Sequence, residues 1–255
     1  MSSASLSSLP APVVLSPPAG TPHTGTIIFS HGLGDSANGW LGFGEMVRRK
    51  WAAEEGGELR GVKWMLTNAP ERTVTANGGA VMPAWFDVIQ FRAPPELEDV
   101  PGLLSSSSFL RSMIQSEIDS GVPAEKIVVG GFSQGGVLSL LTGLTHPEKL
   151  GGIVALSAFL PLTHEDKIKS LVTEESMKTP LFWAHGTSDP VILHSRFLHS
   201  RKYLLEDLGW ADAVPGGEEG EMKGDFTIES YGGMQHELGA GEMEDLVRWL
   251  EGRFK

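Results

Sequence analysis

The chain has 255 residues, 40% of them hydrophobic and 20% charged, which is ordinary for a globular protein and wrong for a disordered one. Lys and Arg total 20 against 32 Asp and Glu, so the net charge is −12. We expect no nucleic-acid partner, because the basic surface that binds phosphate backbones is lacking. The absence of cysteine excludes disulfides, thiolate nucleophiles and Cys-ligated metals. No apolar run approaches the about 18 residues of a transmembrane helix, and no basic run offers a lipid anchor, so stable membrane insertion is not expected.

Glycine is the outlier of the composition, with 32 residues, about twice the usual level of about 7%. This excess predicts many tight turns or close backbone approaches. Residues 1–10 are rich in serine and are predicted to form a flexible tail. Residues 11–255 are predicted to form a single domain, because α/β folds of about 250 residues often make one unit.

Short apolar runs bounded by Gly and Pro alternate with longer helical patterns along the chain. The runs predict strands at residues 26–30, 62–66, 126–130, 152–156, 181–184 and 226–230. Apolar residues recur at helical spacing from Phe109 to Ile118, and further helices are predicted at residues 135–145, 194–208 and 242–254. Residues 91–108 and 211–224 are predicted to be surface loops. Repeated strand–helix units predict a mostly parallel sheet with helices on both faces.

The sequence Gly-Phe-Ser-Gln-Gly at residues 131–135 has the G-x-S-x-G pattern of a nucleophile elbow. A chain so rich in glycine produces this string readily by chance, so its context carries more weight than the string. A predicted strand runs directly into it and a predicted helix leaves it, which is the strand–turn–helix that lifts a serine hydroxyl clear of a sheet. Ser133 is therefore the candidate nucleophile, and a plain glycine-rich turn is the alternative.

A serine hydroxyl needs a base, and the base needs an acid that orients it. Asp189 follows the fifth predicted strand and His236 follows the sixth, so both lie at carboxyl ends of strands, where ligands bind in open α/β sheets. The order Ser, Asp, His along the chain is that of α/β-hydrolases. Taken alone, an Asp before Pro is a common turn former and a loop His is usually solvated. His185 is predicted to be a core or strand-end histidine.

Acyl transfer also needs donors for the developing oxyanion. One is expected to be the backbone N–H of Gln134, directly after the serine. The second is expected to be the N–H of Leu33, because Gly32 and Gly34 let that loop bend toward the site. A glycine turn without a ligand is the alternative for this loop. The histidine spacing shows no H-E-x-x-H pattern, so we expect neither a metal site nor a cofactor.

Several segments together resemble one family. They are His-Gly-Leu-Gly-Asp at residues 31–35, Pro-Ala-Trp-Phe-Asp at 83–87, Gly-Gly-Phe-Ser-Gln-Gly-Gly at 130–136, Leu-Ser-Ala-Phe-Leu-Pro at 156–161, and the segments around Asp189 and His236. In this order they resemble the acyl-protein thioesterase and lysophospholipase group of compact α/β-hydrolases. The resemblance implies an α/β-hydrolase fold without a large cap domain, with Ser133 as nucleophile, His236 as general base and acid, and Asp189 as its orienter.

The same resemblance implies oxyanion donors at Leu33 and Gln134, and substrate contacts from Leu33, Trp85, Phe159 and Val191. Core packing is the alternative for the last three. Two features depart from the family. Glu237 stands where a small hydroxyl residue is expected, so that it either raises the pKa of His236 or points to solvent. The loops also differ: the predicted loop at residues 211–224 is longer than in compact members of the family, and residues 94–108 match the family poorly.

The implied activity is hydrolysis of acyl thioesters, that is, depalmitoylation of S-acylated proteins. A general carboxylesterase or lysophospholipase with the same triad is the first alternative, and a non-catalytic lipid-binding protein is the second. The expected partners are S-acylated proteins or lysophospholipids as substrates. We expect a cytoplasmic location, with the nucleus as a further one, and a weak homodimer through the apolar rim of the acyl site.

Overall fold

The structure is a computed structural model that describes residues 10–52, 58–210 and 225–254. Nine strands lie within these ranges: β1 Val13–Leu15, β2 Gly25–Ser30, β3 Val62–Thr67, β4 Glu71–Val74, β5 Ala80–Pro83, β6 Ile127–Phe132, β7 Gly152–Leu156, β8 Leu181–Gly186 and β9 Phe226–Tyr231. Seven of them form one sheet in the order β1-β3-β2-β6-β7-β8-β9. Only β1 is antiparallel to its neighbour, so the predicted mostly parallel sheet is confirmed.

The six predicted strands are all present, with ends within two residues of the prediction. β2, β6, β7 and β8 are buried almost throughout and read as nearly continuous apolar runs, because both faces of the sheet are covered there. In β6, for example, Val129 contributes to one core and Val128 to the other. Each such fully buried side chain stabilises the fold by about 1.5–3 kcal/mol.

Helices cover the two faces of the sheet. They are α1 Leu41–Ala52, α2 Val100–Asp119, α3 Gln134–Leu144, α4 His194–Lys202 and α5 Ala240–Glu251. One core packs α2, α3 and α4 against the sheet, through residues such as Leu110, Val137 and Phe197. The other packs α1 and α5, through residues such as Phe43 and Leu250. The predicted arrangement with helices on both faces is therefore confirmed.

The prediction of a loop over residues 91–108 is wrong for its second half, because α2 begins at Val100. Asp99 caps this helix by accepting a hydrogen bond from the Gly102 N–H at 3.0 Å, and Pro101 stands in the first turn, where its missing N–H costs nothing. The serines that suggested a loop let α2 pack closely, and Ser107 accepts a hydrogen bond from Thr142 of α3 at 3.0 Å.

Three further elements had no counterpart in the sequence prediction: β1, α1 and the antiparallel hairpin of β4 and β5. The predicted helix over residues 194–208 is α4 continued by a π-helical turn over Tyr203–Asp207. The predicted loop at residues 211–224 lies outside the described residues, and so does the predicted tail over residues 1–10, apart from Pro10.

The parallel sheet brings three chain segments to one edge. Because β6, β8 and β9 run parallel, their carboxyl ends meet at the same edge. Ser133 directly follows β6, Asp189 follows β8 by three residues and His236 follows β9 by five. The loop after β2, which contains Leu33, leaves from the same edge.

Candidate active site

Ser133 occupies a sharp turn between β6 and α3. Its backbone has φ 55° and ψ −120°, a combination that costs a non-glycine residue about 1–3 kcal/mol. Glycines on both sides make room for the turn. A Cβ on Gly131 would lie 2.6 Å from the carbonyl oxygen of Ser30, and one on Gly135 would lie 2.8 Å from that of His31. The segment is therefore the strained strand–turn–helix that the pattern predicts, rather than a plain glycine-rich turn.

Ser133, His236 and Asp189 form a continuous chain of hydrogen bonds. His236 Nε2 lies 3.0 Å from Ser133 Oγ, and His236 Nδ1 lies 2.7 Å from Asp189 Oδ2. With Nδ1–H donating to the carboxylate, Nε2 is left to accept the serine proton. The ring of Phe132 packs on the imidazole, with ring centroids 4.8 Å apart, and limits its rotation.

The carboxylate of Asp189 is buried and accepts three hydrogen bonds. Its Oδ1 accepts hydrogen bonds from the N–H groups of Val191 at 2.8 Å and Ile192 at 2.9 Å. Burial alone would raise the pKa of Asp189, but the hydrogen bond and charge of His236 and these two N–H donors outweigh it, so the pKa lies below its usual value. The group therefore stays ionised at neutral pH and can stabilise an imidazolium.

His185 supports this carboxylate from behind. It is fully buried at the end of β8, as predicted, and its Nε2 donates to the carbonyl oxygen of Ile192 at 2.8 Å. Burial lowers the pKa of His185, so the ring is neutral. The ring stacks on Phe197 and lies 3.5 Å from Asp189 Oδ2. His185 thus fixes the turn that orients Asp189 without adding a charge.

Leu33 and Gln134, whose N–H groups are the predicted oxyanion donors, both line the same cavity as Ser133. The loop of Leu33 passes close to the serine, since a Cβ on Gly32 would lie 3.3 Å from Ser133 Cβ. Gly34 adopts φ +75°, and its N–H donates to the carbonyl oxygen of Pro83 at 2.8 Å, which fixes the bend. Gln134 is the first residue of α3, where the backbone N–H has no partner inside the helix.

The side chain of Gln134 has a role that the sequence did not reveal. Its Oε1 accepts from the Trp85 N–H at 3.0 Å and its Nε2 donates to the Phe86 carbonyl oxygen at 2.9 Å. The indole N–H of Trp85 donates to the carbonyl oxygen of His31 at 2.8 Å. These bonds tie the serine turn, the segment after β5 and the Leu33 loop into one unit.

His31 is a second site residue that sequence reasoning missed. Its Nδ1 donates to the carbonyl oxygen of Gly32 at 2.7 Å and its Nε2 accepts from the Ala69 N–H at 3.0 Å. Burial lowers the pKa of His31 and outweighs the raising effects of that carbonyl group and of Asp35, which fits this neutral form. The available signal was its position in the His-Gly-Leu-Gly-Asp segment, two residues before Leu33.

A cavity of about 350 Å³ opens at Ser133. It is lined mainly by apolar side chains, among them Leu33, Phe86, Val88, Val137, Phe159 and Val191. The predicted contacts Leu33, Phe159 and Val191 thus lie on its wall. Trp85 does not. It is fully buried in the core, because its indole turns inward to His31, and the next residue, Phe86, faces the cavity instead.

The segment between β5 and α2 forms much of the cavity rim. Ile89, Phe91 and Leu97 line the cavity from this segment, and Val191 lines it from the loop after β8. These four side chains are 39–46% exposed. An apolar rim of this kind suits a hydrocarbon chain, because each buried CH₂ group gains about 0.8 kcal/mol.

Glu237 is exposed, which fits the solvent-facing alternative for this residue. It lines a shallow depression with Asp35, Trp40 and His236. Val191 and Phe159 do not border this depression.

A buried acid, Glu242, lies in the first turn of α5, directly after the loop that carries His236. Its Oε2 accepts from the Gly239 N–H at 3.1 Å, whereas its Oε1 has no hydrogen-bond partner among the described residues. Burial raises the pKa of Glu242 to about 7, although the bond from Gly239 lowers it in part. Folded protein thus keeps a proton that the unfolded chain releases at about pH 4.5.

This raised pKa predicts a pH-dependent stability. The folded state binds the extra proton, so the free energy of unfolding falls as pH rises from about 4.5 to about 7. Glu242→Gln keeps the bond to Gly239 and removes the titration. Relative to wild type, the variant is expected to gain up to about 3 kcal/mol between pH 5 and pH 8. Urea unfolding at several pH values measures this gain, and parallel curves for the two proteins would contradict it.

Among the described residues, no group of three or more His, Asp or Glu side chains is arranged to hold a metal ion. Over the same part of the chain, none of the helices has the length and apolar character needed to cross a membrane.

Comparison with known proteins agrees with this geometry. The profile of the Phospholipase/Carboxylesterase family matches residues 11–252. The acyl-protein thioesterase 1 of Cryptococcus neoformans is 40% identical over 89% of this chain and 92% of its own. The acyl-protein thioesterase 1 of Yarrowia lipolytica is 38% identical over 93% of this chain and 96% of its own. Among solved structures, Arabidopsis thaliana SOBER1 superposes with a TM-score of 0.75 at 30% identity, over 91% of this chain and all of its own. Zea mays acyl-protein thioesterase 2 superposes with a TM-score of 0.72 at 25% identity, over 96% of this chain and 99% of its own. The chain therefore belongs to the phospholipase/carboxylesterase family, with the α/β-hydrolase fold, and is a hydrolase.

Proposed function

We propose that this protein hydrolyses acyl thioesters and removes long acyl groups from S-acylated proteins through an acyl-enzyme on Ser133. The observation that carries the proposal is the hydrogen-bonded chain of Ser133, His236 and Asp189 at the mouth of an apolar cavity. The relatives named as acyl-protein thioesterases support the thioester as substrate.

In the first step, Ser133 Oγ attacks the thioester carbonyl carbon while His236 Nε2 takes the hydroxyl proton. The carbonyl oxygen becomes an oxyanion and is stabilised by the N–H groups of Leu33 and Gln134. The C–S bond then breaks, and His236 returns the proton to the leaving thiolate of the substrate cysteine. Asp189 holds the imidazole in the right tautomer and stabilises its charge throughout.

In the second step, water attacks the acyl-enzyme. His236 takes one proton from the water, and the same N–H groups stabilise the second oxyanion. The bond to Ser133 Oγ breaks, His236 gives the proton back to the serine, and a fatty acid leaves. The sum is one water consumed and one thiol and one acid formed, without a cofactor.

The cavity supplies the contacts that hold the acyl chain in both steps. Leu33, Phe159 and Val191 are the proposed contacts from the sequence, and Phe86 takes the place of Trp85. The exposed rim beside the serine leaves room for the protein part of the substrate. We place the enzyme in the cytoplasm and expect a weak homodimer through this rim, which sedimentation at rising concentration measures.

A competition series tests the substrate class. It compares S-acyl peptides, lysophospholipids with the same acyl chains and short nitrophenyl esters, with Ser133→Ala as background. We expect kcat/KM for long-chain S-acyl peptides to exceed that for lysophospholipids about tenfold or more, or about 1.4 kcal/mol of transition-state stabilisation. A preference for short esters would reject the thioesterase function, and a preference for lysophospholipids would favour the lysophospholipase.

A further inference from the structure

Arg196 holds together three chain segments at one wall of the cavity. It lies in the first turn of α4, and its guanidinium carbon is 3.7 Å from the centroid of the Phe159 ring. It donates hydrogen bonds to Glu98 Oε1 at 2.8 Å and to the carbonyl oxygen of Ala93. Glu98 Oε2 accepts from the Leu162 N–H at 2.7 Å. Because the side chains of Arg196 and Glu98 are only 21% and 7% exposed, this pair is largely shielded from water.

A second cavity of about 320 Å³ adjoins the first. Ser133 and His236 border the first cavity only, whereas Leu160 and Leu193 border the second only. Both cavities share six wall residues: Arg92, Ala93, Phe159, Val191, Ile192 and Arg196. The stacked Arg196 and Phe159 therefore form part of the partition between the two spaces.

The partition is fixed at two points. Besides the bonds of Arg196, Arg92 donates to the carbonyl oxygen of Pro190 at 2.6 Å and ties the same segment to the loop after Asp189. An acyl chain that passes the partition has to displace Arg196 from Glu98. Such a step leaves two charges unpaired beside an apolar chain, which is strongly unfavourable.

We propose that the ion pair of Arg196 and Glu98, stacked on Phe159, closes the acyl site at this wall and limits the length of the acyl chain. The proposal rests on the proposed function in that its ligand is an acyl chain seated at Ser133. Loss of the pair joins the two cavities and lets longer chains in.

Two variants test the partition. The double variant Glu98→Gln, Arg196→Ala opens it, and the glutamine still accepts the hydrogen bond from Leu162, so that no unpaired carboxylate stays buried. Leu193→Trp narrows the second cavity from an exposed position. Lys202→Ala is the matched control. It removes an exposed cation that lies on the same helix as Arg196 and pairs with Glu206 at 3.8 Å. Thermal melts check that each variant is folded.

The readout is kcat/KM for nitrophenyl esters with chains of about 4 to about 18 carbons. For wild type we expect a maximum followed by a decline. In the opened variant the maximum moves by about two carbons or more, and long-chain esters gain roughly tenfold over short ones, the factor for burying about two further CH₂ groups. Leu193→Trp alone leaves the wild-type profile unchanged and reverses the gain in the opened variant, and Lys202→Ala changes nothing.

The proposal is overturned if wild type shows no decline up to about 18 carbons, if a folded opened variant keeps the wild-type profile, or if Leu193→Trp alone shortens the profile. The last outcome would mean that acyl chains already occupy the second cavity in wild type. It overturns the proposal even if the opened variant does not fold. Binding of fatty acids of the same lengths to Ser133→Ala gives a readout independent of turnover. If the enzyme cleaves esters but not S-acyl peptides, the thioesterase function is rejected, whereas the proposal about the partition is unaffected.

Discussion

Ser133→Ala is expected to lower kcat about 10⁴- to 10⁶-fold, because the alanine lacks the nucleophile and the remaining N–H donors and cavity supply only residual catalysis. The fold is expected to persist. Alanine fits the space of serine, and the strained backbone at φ 55° is the same for both residues. Ester hydrolysis and thermal melting measure these two expectations, and a fluorophosphonate is expected to label the wild type but not the variant.

Ser112→Ala is the matched control for this variant. Ser112 is exposed on α2, and its hydroxyl donates to the Phe109 carbonyl oxygen in the same helix at 2.7 Å. It is expected to keep full activity and labelling. More than about 1% residual activity in Ser133→Ala, or a fluorophosphonate on another serine, would contradict the assignment.

Gly135→Ala is expected to have the largest effect on stability among single substitutions near the site. The new Cβ would lie 2.8 Å from the carbonyl oxygen of His31 and overlap the carbonyl group of Ser30. Both are backbone groups at the point where β2 ends and the Leu33 loop begins, so either that segment or the serine turn has to shift. We expect a loss of about 3 kcal/mol, or a melting temperature lower by about 10 °C, together with loss of most activity.

Gly42→Ala is the opposite case and serves as the control. Gly42 lies exposed in α1, and a Cβ there meets nothing within 4 Å. Alanine is the better helix former, so a gain of about 0.5–1 kcal/mol is expected. Equal effects of the two substitutions would show that the clash at residue 135 does not govern stability.

The central part of the fold follows from the sequence because strands β2, β6, β7 and β8 are almost fully buried and therefore read as apolar runs. The direction of parallel strands then decides that residues 133, 189 and 236 meet at one edge, although they are far apart in the chain. The same patterns do not predict the peripheral elements of the fold. β1 has three residues between prolines, and in α1 two glycines, Gly42 and Gly44, weaken the helical pattern.

Side-chain direction and long-range pairing were the parts that sequence could not supply. Trp85 and Phe86 are adjacent and equally apolar, and only the bond from the indole to His31 decides that Trp85 is core and Phe86 is wall. Likewise, no motif links Phe159 to Glu98 or Arg196, and their contact depends on how two loops and α4 pack over the sheet.

The most direct test of the central claim is to find where the acyl group goes. Enzyme in excess is mixed with an S-acyl peptide, quenched in acid within the first turnover and mapped by mass spectrometry. We expect the acyl group on the oxygen of Ser133, formed as fast as the peptide thiol is released. Thiol release with the acyl group on another residue, or with no acylated Ser133 at any time before the fatty acid forms, would contradict the account.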